Sequence, residues 1–359
     1  MKFSFLINSL KGGGTEKVCK LLSSKLVRLG HEVDLYVLDD CYSEIKINEV
    51  NVFYLGKKKS LKSLPTLINL IPNLKTNSIL IFNHELAIMF LFAKWLCRSD
   101  VLIISRMNNT FSITIKFKKW AYRATMNTLM KMFYRFLDFY IYQSKGIKDD
   151  LENNYYVKGP GIQIANPIEV PNLTDLRKGS VKEQSLLYVG RLVKQKNVID
   201  ILSVFKNLVI INPKLTLKIV GEGSERKALE EYCIAQNISE KVIFTGNVND
   251  VSLYYKNASL TLLTSFNEGF PNVILESMSY GTPVIAYDCP SGPSEIIDYK
   301  VNGILVRYLD KNHLKESILN ALDTTWDQHV VRNSISRYSS ENIVRTYEKV
   351  LSDIEMGAC

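Results

Sequence analysis

The stretch that most constrains the fold of this 359-residue chain is Thr264 to Gly281, TSFNEGFPNVILESMSYG. Leu260 to Leu263, just before it, form a short run of apolar and β-prone residues, the pattern of a buried parallel strand. Ser265 to Gly269 make a polar turn. Pro271 suits the first helical turn, where no N–H is needed. Val273, Ile274, Leu275 and Met278 give a helix that packs on a sheet, and Gly281 with Pro283 stops it. A strand, a tight loop and a helix with a bare N-terminus follow from this order. Unpaired N–H groups and a partial positive charge at such an end favour an anion such as a phosphate. Two carboxylates, Glu268 and Glu276, bracket that end as Glu-x7-Glu. Carboxylates accept hydrogen bonds from vicinal sugar hydroxyls. Acidic residues also gather at helix N-termini for dipole reasons alone, so the spacing leaves a solvated helix end as the alternative.

The same strand–helix alternation runs through the chain. Lys2 to Asn8 reads as a strand, Gly12-Gly13-Gly14 as a turn, and Val18, Leu21, Leu22, Leu26 and Leu29 as one face of a helix. The turn lacks the spacing of a dinucleotide fingerprint, but three glycines let a backbone approach a ligand closely. Further strands are predicted at 33–38, 50–55, 79–82, 101–105, 139–144 and 162–168, and then at 185–189, 215–220, 242–245, 284–287 and 304–306. Between the two series, residues 169–184 are polar and read as a linker. The expected domains are 1–168, 185–339, and a terminal helix from Ser340 at 340–359. Two doubly wound parallel sheets in tandem make a cleft, with ligands beyond the carboxyl ends of the strands.

Composition narrows the partners. Residues 1–168 carry 24 Lys/Arg against 13 Asp/Glu, and residues 169–359 carry 21 against 23. The excess suits an anionic membrane surface or a phosphorylated acceptor, and no nucleic-acid module is recognisable. Ile115 to Phe139 reads as one amphipathic helix mixing Lys116, Lys118, Lys119, Arg123, Lys131 and Arg135 with Trp120, Tyr122, Phe133, Tyr134 and Phe136. Such a helix suits a membrane interface. No cleavage pattern follows Met1 to Ile7, and no run is apolar enough to span a bilayer. The six scattered cysteines form no metal-type pair. A cytoplasmic protein, peripheral at the membrane, is the expectation.

Four loops, 190–196, 221–223, 246–248 and 265–272, lie at carboxyl ends of predicted second-half strands and should share one crevice. Arg191 and Lys196 would bring a planar fork and a point charge to a diphosphate there. In this order YVGRLVKQKN, LKIVGEGSE, VIFTGNV and NEGFPNVILESMSYGTPVIA resemble the family 4 glycosyltransferases, retaining enzymes of the GT-B fold. The likeness covers nearly all of residues 185–306. The first half matches more loosely through INSLKGGGTEKV, YIYQSKGIKDDL and IQIANPI.

The resemblance implies two Rossmann-like domains facing a central cleft. It also implies a UDP-sugar donor, a glycan or lipid-linked acceptor, no cofactor and no metal. The absence of an Asp-x-Asp triplet agrees with the last. Glu276 would bind the ribose hydroxyls. Glu268 would sit at the transferred sugar, with Gly269, Phe270, Pro271 and Asn272 around it. Arg191 and Lys196 would neutralise the leaving diphosphate, Gly246 and Val248 would pass the base, and Gly13 and Gly14 would close over donor or acceptor. Where many relatives carry a first-domain His, this chain has Ser105-Arg106-Met107-Asn108-Asn109. Arg106 and Asn108 are therefore assigned to the acceptor side, with no base role, and His84 to a core or helix-start position. Two rivals stand beside this reading: a nonhydrolysing sugar-nucleotide epimerase, which the EGFPN segment argues against, and a non-catalytic sugar-nucleotide-binding subunit.

Overall fold

A computed structural model describes residues 1–41, 45–172 and 184–357. The chain divides into two units, Met1–Pro167 with Ser340–Cys359, and Ile168–Ser339. Most of the expected linker, from 173 to 183, lies outside the described residues.

The first unit is built on β1 (Lys2–Ile7), β2 (Glu32–Val37), β3 (Asn51–Tyr54), β4 (Ser78–Ile81), β5 (Leu102–Met107), β6 (Phe139–Tyr142) and β7 (Gly161–Gln163). These seven strands run in the order β3-β2-β1-β4-β5-β6-β7, and every pairing is parallel. Parallel strands need crossovers, and helices on both faces bury the sheet. The apolar run after residue 78 shows how the sequence achieves this. β4 is buried throughout. The Asn83 side chain then accepts from the Glu85 and Leu86 amides, at 2.8 and 3.2 Å. This cap starts the helix His84–Cys97, whose residues Leu86 to Leu91 are all buried.

The single amphipathic helix predicted from Ile115 is interrupted. A 3-10 turn spans Ile115–Phe117 and Lys118 is extended, so the α-helix runs only from Trp120 to Phe133, followed by a second 3-10 turn at Tyr134–Phe136. Met126 and Met130 are its buried residues. The interruption lets Phe111 and Ile115 pack into the core while Phe117 and Trp120 stay exposed.

The helix Ser340–Glu355 belongs to the first unit. Its stripe of Ile343, Val344, Tyr347, Leu351 and Ile354 joins the apolar cluster that holds Cys19, Leu22 and Leu26 of the helix Gly14–Arg28. Each such side chain gains roughly 1.5–3 kcal/mol from burial. Lys25–Glu341 at 3.0 Å and His31–Glu348 at 2.7 Å border the contact.

The second unit holds β8 (Ser185–Val189), β9 (Thr216–Val220), β10 (Val242–Gly246), β11 (Leu260–Leu263), β12 (Val284–Tyr287) and β13 (Gly303–Val306). The order is β10-β9-β8-β11-β12-β13, again parallel throughout. The helical stretch expected from Val248 begins only at Ser252, where the Asp250 side chain accepts from the Ser252 amide at 2.8 Å.

Candidate active site

The second sheet reverses direction between β8 and β11: β9 and β10 lie on one side of β8, and β11 to β13 on the other. Loops that leave neighbouring strands in opposite directions open a crevice at their carboxyl ends, which is where α/β sheets bind ligands. The loop after β8 carries Arg191 and Lys196. The loop after β11 carries Glu268, Gly269, Phe270 and Pro271.

These two loops are tied to each other before any ligand is considered. The Phe266 amide donates to the Gln195 carbonyl at 2.8 Å, the Gln195 side-chain amide donates to the Asn267 carbonyl at 3.0 Å, and the Thr264 hydroxyl donates to the Asn197 carbonyl at 3.0 Å. The register set by these bonds brings Lys196 Nζ to 2.6 Å from Glu268 Oε1. Ser265 Oγ donates to the same oxygen at 2.5 Å. The two charged side chains are only 17% and 7% exposed, which excludes the solvated helix end for Glu268. The segment after β12 braces the loop from behind. Glu268 N donates to the Pro290 carbonyl at 2.9 Å, and Ser291 Oγ donates to the Gly269 carbonyl at 3.1 Å.

The helix Asn272–Ser279 starts at Pro271, and no side chain caps it. Gly269, Phe270 and Pro271 are buried beneath its N-terminus, with Phe270 edge-on to Tyr338 at 5.3 Å. Within the helix, Glu276 Oε2 accepts from Tyr255 OH at 2.9 Å. Tyr255 is itself buried and stacks on Tyr280 at 6.1 Å. Burial, then the neighbouring Glu276 charge, pushes its hydroxyl well above the usual tyrosine range, so it stays a proton donor toward the carboxylate.

Arg191 is exposed, its carbonyl held by Tyr188 OH at 3.0 Å. Two glycines of the VGEGSE run serve the frame of this loop. A Cβ on Gly221 would stand 2.0 Å from the Gly190 carbonyl oxygen, and one on Gly223 2.1 Å from that of Leu192. Only glycine lets the loops after β8 and β9 interlock this closely. Gly246 closes β10 with a left-handed φ of 73° and accepts from the Gly221 amide at 2.9 Å. Val248 packs in a small cluster with Tyr255 and Tyr280.

The first-unit candidates divide. Gly13 is extended at φ −169° and precedes the helix that begins at Gly14. A Cβ on Gly12 would meet nothing within 4 Å. Neither Gly12 nor Gly13 takes a left-handed φ, and a Cβ on Gly13 would meet the Glu16 carboxylate at 2.3 Å. Arg106, expected on the acceptor side, is 1% exposed. Its Nε donates to Tyr347 OH at 2.8 Å, its two terminal nitrogens donate to Asn108 and Asn166, and it lies over the Phe82 ring. Asn108 in turn donates to the Phe82 carbonyl at 2.8 Å. The guanidinium is committed to the fold, because three side-chain oxygens, two of them from distant parts of the chain, replace its water. His84 packs edge-on to Phe111 at 4.6 Å, and burial pulls its pKa down to about 4.

Sequence reasoning missed Gln195, Ser265 and Tyr255. Ser265 stands three residues before Glu268 and Gln195 immediately before Lys196, so position beside the motif was the available signal. Nothing in the sequence pairs Tyr255 with Glu276, 21 residues on.

The family model described as Glycosyl transferases group 1 matches residues 176–341, and that described as Glycosyltransferase Family 4 matches residues 12–170. The amylovoran biosynthesis glycosyltransferase AmsD of Erwinia amylovora is 27% identical over 98% of this chain and 99% of its own length. A Campylobacter jejuni protein is 26% identical over 90% of each chain: the N-acetylgalactosamine-N,N'-diacetylbacillosaminyl-diphospho-undecaprenol 4-alpha-N-acetylgalactosaminyltransferase. Among solved structures, Anabaena HepE in complex with UDP-glucose aligns with a TM-score of 0.79 at 19% identity, covering 98% of this chain and 100% of that one. The lipopolysaccharide outer core galactosyltransferase WaaB aligns at 0.75 and 20% identity, covering 98% and 99%.

Proposed function

The chain belongs to the family 4-type glycosyltransferases of GT-B fold, and from that premise we propose that it moves a hexose or N-acetylhexosamine from a UDP-sugar to a lipid-linked glycan during surface polysaccharide assembly, with retention at the anomeric carbon. The observation that carries this reading is the buried Lys196–Glu268 pair beside the uncapped helix N-terminus at Asn272. UDP complexes of HepE and the diphospho-undecaprenol in the Campylobacter relative's name support the donor and acceptor classes.

In this mechanism the bond between the anomeric carbon and the diphosphate oxygen breaks, and a bond to the acceptor hydroxyl oxygen forms on the same face. Negative charge grows on the leaving diphosphate, which takes the acceptor's proton. Lys196, Arg191 and the helix N-terminus stabilise that charge, the role that a preorganised cation site performs best in a partly dry setting. Glu268, held by Ser265, accepts from hydroxyls of the transferred sugar. Glu276, with one oxygen held by Tyr255, accepts from the ribose. Gly246 and Val248 pass the base, and in the first unit Gly13 and Gly14 offer backbone to substrate. The cations act without a divalent metal, and the enzyme works peripherally at the cytoplasmic face of the membrane.

The test is a screen of radiolabelled UDP-sugars on membranes carrying lipid-linked acceptors, with EDTA in a parallel arm. The expected result is label in the lipid fraction, insensitive to EDTA, with an α-configured product by NMR. Turnover of a UDP-hexose to its epimer without acceptor would replace this reading with an epimerase. Binding of UDP with no transfer to any acceptor would replace it with a binding subunit.

A further inference from the structure

The first unit has a second polar site that the donor chemistry does not use. An open cavity of about 420 Å³ lies among the helices Phe111–Thr114, Trp120–Phe133 and Lys145–Tyr155. Its lining includes Lys116, Arg123 and Lys131, together with Ser112, Asn127 and Asn154. All three cations are exposed, and among the described residues none forms an ion pair. From residue 111 to residue 136 the chain has six Lys/Arg and no Asp or Glu.

The carboxylate that holds the lining residues Ser112 and Asn154 is already engaged. Asp150, 9% exposed, accepts from the Ser112 amide and hydroxyl and from Asn154 at 2.9 Å. It fixes the wall and leaves the cations unneutralised. Asn127 Oδ1 accepts from Tyr155 OH at 3.2 Å, which leaves its amide N–H groups as donors. Three cations and an amide donor around a concave space match the several acceptor oxygens of a phosphate ester. The cavity falls within the size range of small-molecule sites and exceeds what one inorganic ion would fill. Phe117 and Trp120, close to Lys116 in the chain, are exposed, Trp120 by 74%, which suits a site reached from a membrane interface.

We propose that this cavity seats the phosphate or diphosphate ester of a membrane lipid, and so holds the lipid-linked acceptor by its anionic linker rather than by its sugar. This rests on the lipid-linked acceptor of the preceding section. The same chemistry could come from the linker or from bulk anionic headgroups, and the experiment separates them.

The full chain is mixed with phosphatidylcholine vesicles, alone, with phosphatidylglycerol, or with polyprenyl diphosphate at matched charge. Inorganic pyrophosphate is titrated separately by calorimetry. Two triple variants remove equal charge: Lys116→Ala/Arg123→Ala/Lys131→Ala inside the cavity, and Lys118→Ala/Lys119→Ala/Arg135→Ala outside it. The cavity variant should bind polyprenyl diphosphate vesicles roughly a hundredfold more weakly than the parent, and the outside variant should stay within a few-fold. A loss confined to polyprenyl diphosphate and pyrophosphate assigns the linker. An equal loss on phosphatidylglycerol assigns the headgroup. Equal losses in both variants, or no preference of the parent for anionic over neutral vesicles, overturns the site. Hydrolysis of UDP-sugar without acceptor should be unchanged in the cavity variant. If the parent neither hydrolyses nor transfers, the proposed function fails, while the vesicle comparison still decides the cavity.

Discussion

Both sheets reverse direction once, between β1 and β4 in the first unit and between β8 and β11 in the second, yet they spend their charged residues differently. In the second unit Lys196 meets a carboxylate, keeps 17% of its surface, and stands at the mouth of two loops. In the first, Arg106 donates to neutral oxygens of Tyr347, Asn108 and Asn166, lies over the Phe82 ring, and is sealed at 1% exposure. A lysine with a carboxylate partner can turn to a phosphate where other donors still hold the carboxylate, as Ser265 holds Glu268. An arginine wrapped in neutral acceptors cannot move without leaving those groups unpaired in the interior. The same topology therefore yields a candidate reaction site in one unit and a structural clamp in the other.

The sharpest way to break this contrast is to remove each charge and ask what is lost. Lys196→Ala or Glu268→Ala should lower transfer per folded molecule by about 100- to 1,000-fold, and should lower the melt as well, because each leaves a largely buried charge without its partner. Unchanged turnover would end the assignment. Arg106→Leu should lower unfolding free energy by about 3 kcal/mol in a urea titration while turnover per folded molecule holds. A selective loss of turnover would make Arg106 a substrate contact after all.

His84 tests burial in the first unit through pH. Its folded pKa of about 4 lies below the ordinary histidine value, so the unfolded chain takes up the proton first. The stability from keeping His84 neutral is therefore complete above about pH 6.5 and declines toward pH 4, by up to about 3 kcal/mol. His84→Phe should flatten that part of the stability–pH curve, and an unchanged slope would show that the ring titrates freely. The smallest effect is expected at Tyr255→Phe, which removes one hydrogen bond to Glu276. The donor KM should rise about fivefold, the equivalent of about 1 kcal/mol, with kcat and the melt unchanged. A fall in kcat instead would move Glu276 from binding to chemistry.

What could be read from the sequence follows the same division. Glu268 and the helix after Pro271 were legible because each lies within a few residues of a glycine or proline that fixes the local backbone, and Lys196 because it lies in the loop that follows a predicted strand. The alternation of buried strands and helices was legible for a similar reason, since parallel sheets bury both faces and leave apolar runs. Arg106 was not legible. Its partners lie two, 60 and 241 residues away, and no local pattern tells a sealed guanidinium from an exposed one. The break at Lys118 was hidden as well, because the amphipathic period continues across it and only the packing of Ile115 against the core interrupts the helix.

The helix Ser340–Glu355 carries a consequence for how the protein is made. The second unit is one continuous stretch of chain, whereas the first is completed by a helix translated after all of it. On the ribosome the later unit can finish folding while the earlier one still waits, with Leu22 and Leu26 uncovered and Arg106 lacking Tyr347. The order of synthesis and the order of completion are inverted. A chain truncated just before Ser340 would carry a finished second unit and an open apolar face on the first, the kind of surface that chaperones hold.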